Sequence, residues 1–327
     1  MDAYYTSLSI PKPIFQIAPS SRILTMGSCF AGHIGDFFIS QKFQALVNPT
    51  GILFNPESIV QNLSTVLGKR SISEKEHLLV HSDGLWHSLL HHGQFSHTNR
   101  DAVISKIDSA AREMHQFLVT ADLLIITLGT AHIYRHLKTG EIAANCHKLP
   151  SVEFVKELLD INTICKRFDT LLHDLKSFTP GLQVLLTVSP VRYIRDGLME
   201  NNQSKATLIT VTHKLVKNHE NCHYFPAYEI LIDELRDYRF YAKDLVHPSQ
   251  QAIEYILDKF VQTYFNHPAQ RQVHEIMALR QALNHRPLHP QSEAHGRFLE
   301  KMRTKIVLLK KEYPKLDFRD EEQQLGS

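Results

Sequence analysis

A serine and an aspartate–histidine pair lie far apart in this sequence, yet their residue types suit one reaction, the transfer of an acyl group. Ser28 follows the apolar run 22–26 and Gly27, whereas Asp244 precedes His247 by three positions. A serine hydroxyl becomes a nucleophile when a histidine accepts its proton, and a carboxylate on the other ring nitrogen fixes the histidine tautomer. We therefore predict Ser28 as the nucleophile, His247 as the general base and Asp244 as the group that orients it.

Ser28 occupies the predicted junction between a strand and a helix. From Cys29 onward, apolar side chains recur at helical spacing, at Phe30, Ile34, Phe37 and Phe38. A helix start offers free N–H groups and partial positive charge, which favour an alkoxide or an oxyanion. Serine is also a preferred N-cap residue, so capping the helix is the alternative role for Ser28. Cys29 is a rival nucleophile, but neighbouring helix positions point about 100° apart, so only one of the two can face His247.

Short apolar runs alternate with segments of helical periodicity along the chain. The runs lie at 22–26, 43–47, 122–128, 183–188 and 222–225. Strands that alternate with helices are typical of a parallel, doubly wound sheet covered by helices on both faces. We therefore predict an α/β fold, a three-layer α/β/α sandwich with a parallel sheet. Ligands of such sheets bind at the carboxyl ends of the strands, the edge at which Ser28 and the Asp244–His247 loop are expected.

Two β-hairpins are predicted as insertions at this edge of the sheet. Alternating apolar residues flank turn signals in residues 77–97 and again in residues 131–145. Between the second hairpin and the fourth strand, residues 151–177 are predicted to form one long helical segment.

The chain is predicted to divide into three parts. Residues 1–20 form an irregular lead-in, residues 21–265 the α/β domain, and residues 266–327 a charged helical appendage. The appendage carries an apolar stripe made of Phe298, Met302, Ile306 and Leu309. Such a stripe needs a partner surface, either the α/β domain or a second subunit, so residues 266–327 are the segment through which a homo-oligomer would form.

Composition and charge limit the classes of partner. The 327 residues carry a net charge of +2, so no strong attraction to nucleic acid or to a membrane is implied. The basic pair Lys310-Lys311 is short and acidic residues follow it, which also argues against nucleic-acid binding. Neither a signal peptide nor an apolar run of membrane-spanning length is recognisable, so we expect a cytoplasmic location.

No metal or other cofactor is predicted. The four cysteines are scattered without a CxxC motif, which argues against a structural zinc site and a disulfide framework. A histidine cluster contains His87, His91, His92 and His97. No carboxylate or cysteine joins this cluster at the spacing of metal ligands.

The pentapeptide Gly27-Ser28-Cys29-Phe30-Ala31 spells the motif that names the GSCFA family, which is similar to the SGNH, or GDSL-like, hydrolases. The chain resembles this family over residues 20–265, with further matching segments at Asn48–Ile52, Thr127–Ala131, Asn145–Lys148, Ser189–Arg192, Ser204–Ala206 and Asp244–Pro248. The resemblance implies a flavodoxin-like fold of the SGNH-hydrolase type. It also assigns the nucleophile to Ser28 and the acid–base pair to His247 and Asp244.

The oxyanion hole is expected to use backbone N–H groups. Ser28 and Gly51 would each donate one, and glycine permits close approach of the backbone. The sequence departs from the usual SGNH pattern, because no aspartate separates glycine and serine in the first motif. The third motif, at 129–132, also lacks its usual asparagine. Three residues could replace this missing donor, namely Thr130, His132 and Asn145. Of these, we place Thr130 in the oxyanion hole.

The loops and hairpins at the same edge supply the side chains that we expect to bind substrate. These polar residues are Asn48, His92, His132, Asn145 and Arg192. The guanidinium of Arg192 offers a fork of donors to an anionic or polyhydroxyl group, and a surface ion pair is the equally weighted alternative.

The sequence thus predicts a serine esterase of SGNH-like type. It would remove a small acyl group from a carbohydrate or similar hydroxylated small molecule through an acyl-serine intermediate. Passing that acyl group to another hydroxyl would make the protein an acyltransferase, and access of water decides between the two. A non-catalytic carbohydrate-binding or scaffolding domain is the alternative from a different class, because the third-motif asparagine is missing.

Overall fold

The computed structural model describes residues 6–68, 78–285 and 288–326. Its strands are β1 Arg22–Gly27, β2 Gln44–Val47, β3 Leu79–Ser82, β4 Leu85–Ser88, β5 Leu123–Leu128, β6 His132–His136, β7 Ile142–Ala143, β8 Phe154–Leu158, β9 Gln183–Val188 and β10 Cys222–Phe225. Its helices are α1 Cys29–Ser40, α2 Pro56–Val66, α3 Arg100–Leu118, α4 Ile161–Phe178, α5 Leu198–Asn218, α6 Ala227–Glu229 with a π-helical continuation Ile230–Leu235, α7 Gln250–Tyr264, α8 His267–Leu283, α9 Glu293–Glu312 and α10 Arg319–Gly326.

One parallel sheet holds five of the strands, in the order β10–β9–β5–β1–β2. These are the apolar runs from which the sheet is predicted. Successive residues of a strand face opposite sides, so Leu24 and Met26 pack into one core and Ile23 into another. Helices α2 to α5 contribute to the first core, and α1 and α7 to the second. The predicted three-layer α/β/α sandwich is therefore confirmed.

The strand order reverses beside β1. The chain passes from β1 to β2 on one side, and then crosses to β5 on the other. Ligands of open α/β sheets bind outside the carboxyl ends of the strands at such a switch point. The carboxyl ends of the two strands meet there, because Gly27 of β1 pairs with Thr127 of β5. Ser28 is the first residue beyond that end of β1.

Both predicted hairpins are present in the described residues. β3 and β4 pair in antiparallel fashion, and Trp86 adds an isolated bridge to His97. Residue 77, the predicted first residue of this hairpin, lies outside the described residues, as do residues 1–5 of the predicted lead-in. The second hairpin is larger than predicted, because β6 pairs with β8 as well as with β7 to give a three-stranded sheet.

The prediction of one helix over 151–177 is wrong at its start. Residues 154–158 form β8, and α4 begins only at Ile161. Asp160 sets that boundary, since its side chain accepts hydrogen bonds from the first backbone N–H groups of the helix. Charged residues in β8 conceal its strand character from a search for apolar runs.

Helices α8, α9 and α10 form a small core of their own. The apolar stripe of α9, with Met302, Ile306 and Leu309, is buried together with Leu279 of α8 and Leu325 of α10. The stripe therefore has a partner surface within the same chain, and a homo-oligomer through residues 266–327 stays a prediction. Within the described residues, no helix combines the length and apolar character that crossing a membrane requires.

Replacing Gly27 with alanine is expected to destabilise the fold. The φ angle of Gly27 is +127°, and an added Cβ would collide with the Thr127 backbone carbonyl. Strain and overpacking together should lower the free energy of unfolding by about 3 kcal/mol or more, as measured by urea denaturation. Gly32→Ala is the control, because an added Cβ in this part of α1 has no neighbour within 4 Å. That change should stabilise by up to about 1 kcal/mol. Wild-type stability in Gly27→Ala would contradict the expected strain.

Candidate active site

Ser28 stands at the N-cap position of α1, but its side chain does not cap the helix. Its backbone is extended, with φ −71° and ψ 178°, and its hydroxyl makes no capping hydrogen bond. Ser28 is 2% exposed, and its buried Oγ has no hydrogen-bond partner among the described residues. Leaving a buried polar group unpaired costs about 1–3 kcal/mol, so such a group calls for an explanation. Capping of α1 does not provide it.

Asp244 and His247 form a hydrogen-bonded pair in the turn before α7. Asp244 Oδ2 accepts from His247 Nδ1 at 2.7 Å, and Oδ1 accepts the backbone N–H groups of Val246 and His247 at 2.9 and 3.0 Å. These hydrogen bonds lower the pKa of Asp244 to about 2, and the backbone N–H of His247 has the largest effect. Because an ionised carboxylate can only accept, the proton lies on His247 Nδ1 and Nε2 presents a lone pair.

His247 interacts electrostatically with α1. Partial desolvation lowers the pKa of His33 in α1, and the charge of His247 acts in the same direction. His247 is therefore within electrostatic range of the helix that follows Ser28. The Ser28 hydroxyl does not hydrogen-bond to His247 in this arrangement. Hydrogen bonds of this kind are often long before substrate binds and shorten in the complex.

Arg192, just beyond β9, holds the Asp244–His247 loop. Its Nη2 donates to the Leu245 carbonyl at 2.5 Å, and its backbone N–H donates to the Val246 carbonyl at 3.1 Å. Its guanidinium also lies 4.2 Å from the centre of the Tyr241 ring. The Arg192 guanidinium is directed to this loop, and Arg192, Asp244 and His247 are not among the residues that line the cavity beside Ser28. A substrate contact of Arg192 stays a prediction.

That cavity has a volume of about 820 Å³. It lies between the carboxyl ends of the central strands and the sheet of β6, β7 and β8. Four of the predicted site residues line it, namely Ser28, Thr130, His132 and Asn145. The structure thus brings the predicted nucleophile together with all three alternatives for the missing third-motif donor.

Asn48, Gly51 and His92 lie outside this cavity and support the neighbouring backbone. Asn48 Oδ1 accepts the backbone N–H of Gly27 at 3.0 Å, which fixes the residue before the nucleophile. Gly51 has a φ of +88° and packs so closely on His92 that an added Cβ would lie 2.6 Å from the His92 Cβ. Both residues thus contact the backbone around β1 and the loop that follows β2, and substrate binding by Asn48 and His92 stays a prediction.

The backbone N–H groups of the three residues predicted for the oxyanion hole are already used within the protein. The backbone N–H groups of Ser28, Gly51 and Thr130 donate to the carbonyl oxygens of Thr127, Asn48 and Phe54, respectively, at 2.8–3.0 Å. An N–H group that serves a backbone carbonyl is not positioned for a developing oxyanion. An oxyanion hole built on Ser28, Gly51 and Thr130 therefore stays a prediction, and other donors at the cavity are considered beside it.

Two other N–H donors line the cavity with Ser28, and the sequence analysis names neither of them as a donor. The Cys29 N–H lies at the start of α1, and no backbone acceptor for it is present in the described residues. Asn55 caps α2, because its Oδ1 accepts the Ser58 N–H at 2.8 Å. The Asn55 amide nitrogen is consequently the end left to donate. Cys29 and Asn55 both line the cavity.

The backbone before Asn55 runs directly along the nucleophile. The Leu53 N–H donates to the Gly27 carbonyl at 2.9 Å, and the Phe54 carbonyl accepts the Gly129 N–H at 2.8 Å. An added Cβ on Gly129 would lie 3.3 Å from the Ser28 Cβ. In the sequence, asparagine followed by proline signals an N-cap. Nothing in that signal indicates that this cap lies beside Ser28.

Lys205 joins two strand ends at the floor of the site. It is 1% exposed, and its Nζ donates to the carbonyl oxygens of Gly129 and Ser189, both at 2.8 Å. Burial lowers the pKa of Lys205 to about 7. The neutral amine still has two N–H groups, one for each carbonyl. The matching segment Ser204–Ala206 could have drawn attention to this lysine, but the sequence does not show what it contacts.

The histidine cluster has structural contacts. His87 Nδ1 lies 2.7 Å from Ser96 Oγ, and the His87 ring stacks on His147 with 4.7 Å between centroids. His147 Nε2 donates to the Ser88 carbonyl at 2.7 Å. No group of three or more potential metal ligands is found among the described residues.

Three solved structures resemble the chain at low similarity. A protein from Streptococcus pneumonia, provisionally named a platelet activating factor, is 12% identical; the match covers 74% of this chain and 84% of that chain at a TM-score of 0.39. A provisionally named acylhydrolase from Bacteroides fragilis NCTC 9343 is 10% identical, with coverages of 80% and 91% and a TM-score of 0.38. A family 3 carbohydrate esterase from Clostridium thermocellum is 11% identical, with coverages of 80% and 98% and a TM-score of 0.30. Likeness at this level does not extend to substrate or mechanism.

No curated protein matches the chain. Family models match two parts of it: the GSCFA family over residues 22–260, and the GSCFA domain protein, C-terminal domain, over residues 276–327. The first match includes the Ser28 motif, the cavity-lining loops and the Asp244–His247 pair. The second includes α9 and α10 and the end of α8. The resemblance of the sequence is thereby confirmed, and the chain belongs to the GSCFA family.

Proposed function

We propose that this protein is an SGNH-like serine hydrolase that removes a small acyl group from a hydroxylated substrate through an acyl-serine intermediate. The observation that carries the proposal is the Ser28 hydroxyl. It is buried, it does not cap its helix, it has no hydrogen-bond partner among the described residues, and Ser28 lines a cavity. A cavity of about 820 Å³ has room for a sugar-sized ester.

The reaction begins when Ser28 Oγ attacks the acyl carbon of the bound ester. His247 Nε2 accepts the hydroxyl proton, and Asp244 stabilises the imidazolium that forms. The carbonyl oxygen becomes an oxyanion, for which the Cys29 N–H and the Asn55 amide are the proposed donors. When the carbonyl re-forms, the ester C–O bond breaks, and the alcohol leaves with the proton from His247. Water then attacks the acyl carbon while His247 accepts its proton. The bond between Ser28 Oγ and the acyl carbon breaks, His247 returns the proton to Ser28 Oγ, and the carboxylic acid is released.

A panel of 4-nitrophenyl esters with acyl chains from acetyl upward tests this proposal. We expect the esters with short acyl chains to be turned over fastest. Ser28→Ala should abolish turnover of all of them. Adding a polyol acceptor to the same assay separates the two possible fates of the acyl group. A hydrolase keeps releasing free acid, whereas an acyltransferase forms the acylated polyol. Turnover that survives Ser28→Ala unchanged would refute the acyl-serine intermediate.

Asn55 provides a test of the oxyanion donor. Serine at this position keeps an N-cap oxygen for Ser58 but removes the amide N–H, so Asn55→Ser should leave α2 capped. We expect kcat to fall by about 100-fold, since removing one oxyanion donor has an effect of this order. Thermal unfolding should stay close to that of the wild type. A wild-type kcat in Asn55→Ser would exclude the amide as a donor.

A further inference from the structure

The cavity beside Ser28 is lined by basic side chains and, among the side chains that the structure describes, by no aspartate or glutamate. Its basic residues are Lys148, Lys156 and Arg195. The described lining is therefore positive, whereas the charges of the whole chain nearly balance, with a net charge of +2. Clefts lined by one sign of charge concentrate the field and attract ligands of the opposite sign.

We propose that the ester substrate is an anion, with a carboxylate or phosphate group that is held in this cavity by Lys148, Lys156 and Arg195. The inference rests on the proposed function, since it places the anionic group and the ester bond in one small molecule. Ammonium and guanidinium groups form short, charge-assisted hydrogen bonds with carboxylate and phosphate oxygens.

Strand alternation explains why the wall formed by β6 and β8 is basic. Lys156 of β8 pairs with Tyr134 of β6, and both line the cavity. The next residue, Glu157, faces the opposite side of this small sheet, where the Arg135 guanidinium donates to both of its carboxylate oxygens at 2.8 and 3.0 Å. Because successive residues of a strand face opposite sides, Lys156 lies on the cavity side, whereas Glu157 lies on the other side with Arg135.

Lys148 is held at the cavity by a loop in an uncommon conformation. His147 and Lys148 have φ angles of 48° and 60°, a left-handed region in which residues other than glycine are uncommon. The hydrogen bond from His147 Nε2 to the Ser88 carbonyl and the stacking of His147 on His87 fix the loop to the first hairpin. Strain that is held in this way is frequent at ligand-binding sites.

Arg195 also lines the cavity and lies in the segment between β9 and α5. Burial raises the pKa of the cavity-lining Cys146 thiol to about 11, and the positive charge of Arg195 opposes that shift. The charge of Arg195 therefore reaches the Cys146 side of the cavity. Basic groups from separate segments of the chain that line one cavity can contact the same anion.

Matched acetate esters test the proposal. The anionic substrates are 4-acetoxybenzoate and 4-acetoxyphenyl phosphate, and the neutral reference is 4-acetoxybenzamide. We expect the wild type to show a kcat/KM ratio of anionic to neutral ester of about 10 or more, falling as KCl is raised. Which anionic ester gives the higher ratio distinguishes carboxylate from phosphate. Lys148→Gln should lower the ratio by about 3-fold to 5-fold, and Lys148→Arg should restore it.

Lys138→Gln is the matched control, because it removes the same charge from an exposed turn away from the cavity. Its ratio should equal that of the wild type. A wild-type ratio near 1, or equal ratios in Lys148→Gln and Lys138→Gln, would overturn the proposal. Titration calorimetry with 4-hydroxybenzoate and 4-hydroxybenzamide covers the case in which no ester is turned over. If only 4-hydroxybenzoate binds and Lys148→Gln weakens its binding, the anion site is supported and the esterase is refuted. Equal binding of both ligands would refute the anion site.

Discussion

Ser28→Ala is expected to lower ester turnover by at least about 1,000-fold, because the variant cannot form the acyl-serine intermediate. The same change should not weaken the fold. The hydroxyl that it removes is buried and has no hydrogen-bond partner among the described residues. Its loss should leave the free energy of unfolding unchanged or raise it by about 1 kcal/mol. Ester kinetics and urea denaturation on the same preparation measure both effects.

Cys29→Ala is the matched control for the neighbouring nucleophile. Burial raises the pKa of the Cys29 thiol, so the thiol stays protonated and is a poor nucleophile. Alanine also keeps the backbone N–H that we propose as an oxyanion donor. Turnover in Cys29→Ala should therefore stay within about 10-fold of the wild type. Loss of activity in Cys29→Ala with full activity in Ser28→Ala would transfer the nucleophile to the cysteine.

His247→Ala is expected to lower turnover by about 1,000-fold, because no other group would take the Ser28 proton. Asp244→Asn should lower it less, by about 10-fold to 100-fold, since the base would be misoriented but present. His33→Ala is the control for a neighbouring histidine on α1 and should retain activity. Wild-type rates in His247→Ala would move the general base elsewhere, with the cavity-lining His132 as the first alternative.

The pH–rate profile separates the two members of this pair. Protonated imidazole cannot accept a proton, so activity should rise with pH if a histidine is the general base. Asp244 does not contribute to that rise. Its pKa is lowered from 3.8 to about 2, so the stabilisation that its ionised form provides is complete above pH 3.8 and is lost only as the pH falls through about 2. Persistence of the same rise with pH in His247→Ala would contradict the assignment.

The sequence predicts the sheet better than it predicts the contacts around the candidate site. Strands β1, β5 and β9 are buried on both faces, and such strands are continuous apolar runs that stand out in the sequence. β8 is missed because Lys156 and Glu157 in its middle resemble a helix surface. Its strand character depends on pairing with β6, which is a tertiary contact.

The hydrogen bonds of the predicted oxyanion residues are hidden from the sequence for a related reason. Whether the N–H of Ser28 or Gly51 is available depends on which carbonyl lies opposite, and those acceptors come from Thr127 and Asn48. Likewise, the cap residue Asn55 gains its proposed role only because its loop lies against β1 and β5. The basic cavity is also invisible in the sequence, since its members come from separate segments of a chain with almost balanced charge.

A fluorophosphonate probe tests the central claim most directly, because it reacts covalently with activated serine nucleophiles. Intact-protein mass spectrometry followed by peptide mapping shows how many probe molecules attach and to which residue. We predict one adduct per chain, located on Ser28, with no adduct in Ser28→Ala and slower labelling in His247→Ala. An unlabelled wild type, an adduct on another residue, or full labelling of Ser28→Ala would contradict the assignment of Ser28 as the nucleophile.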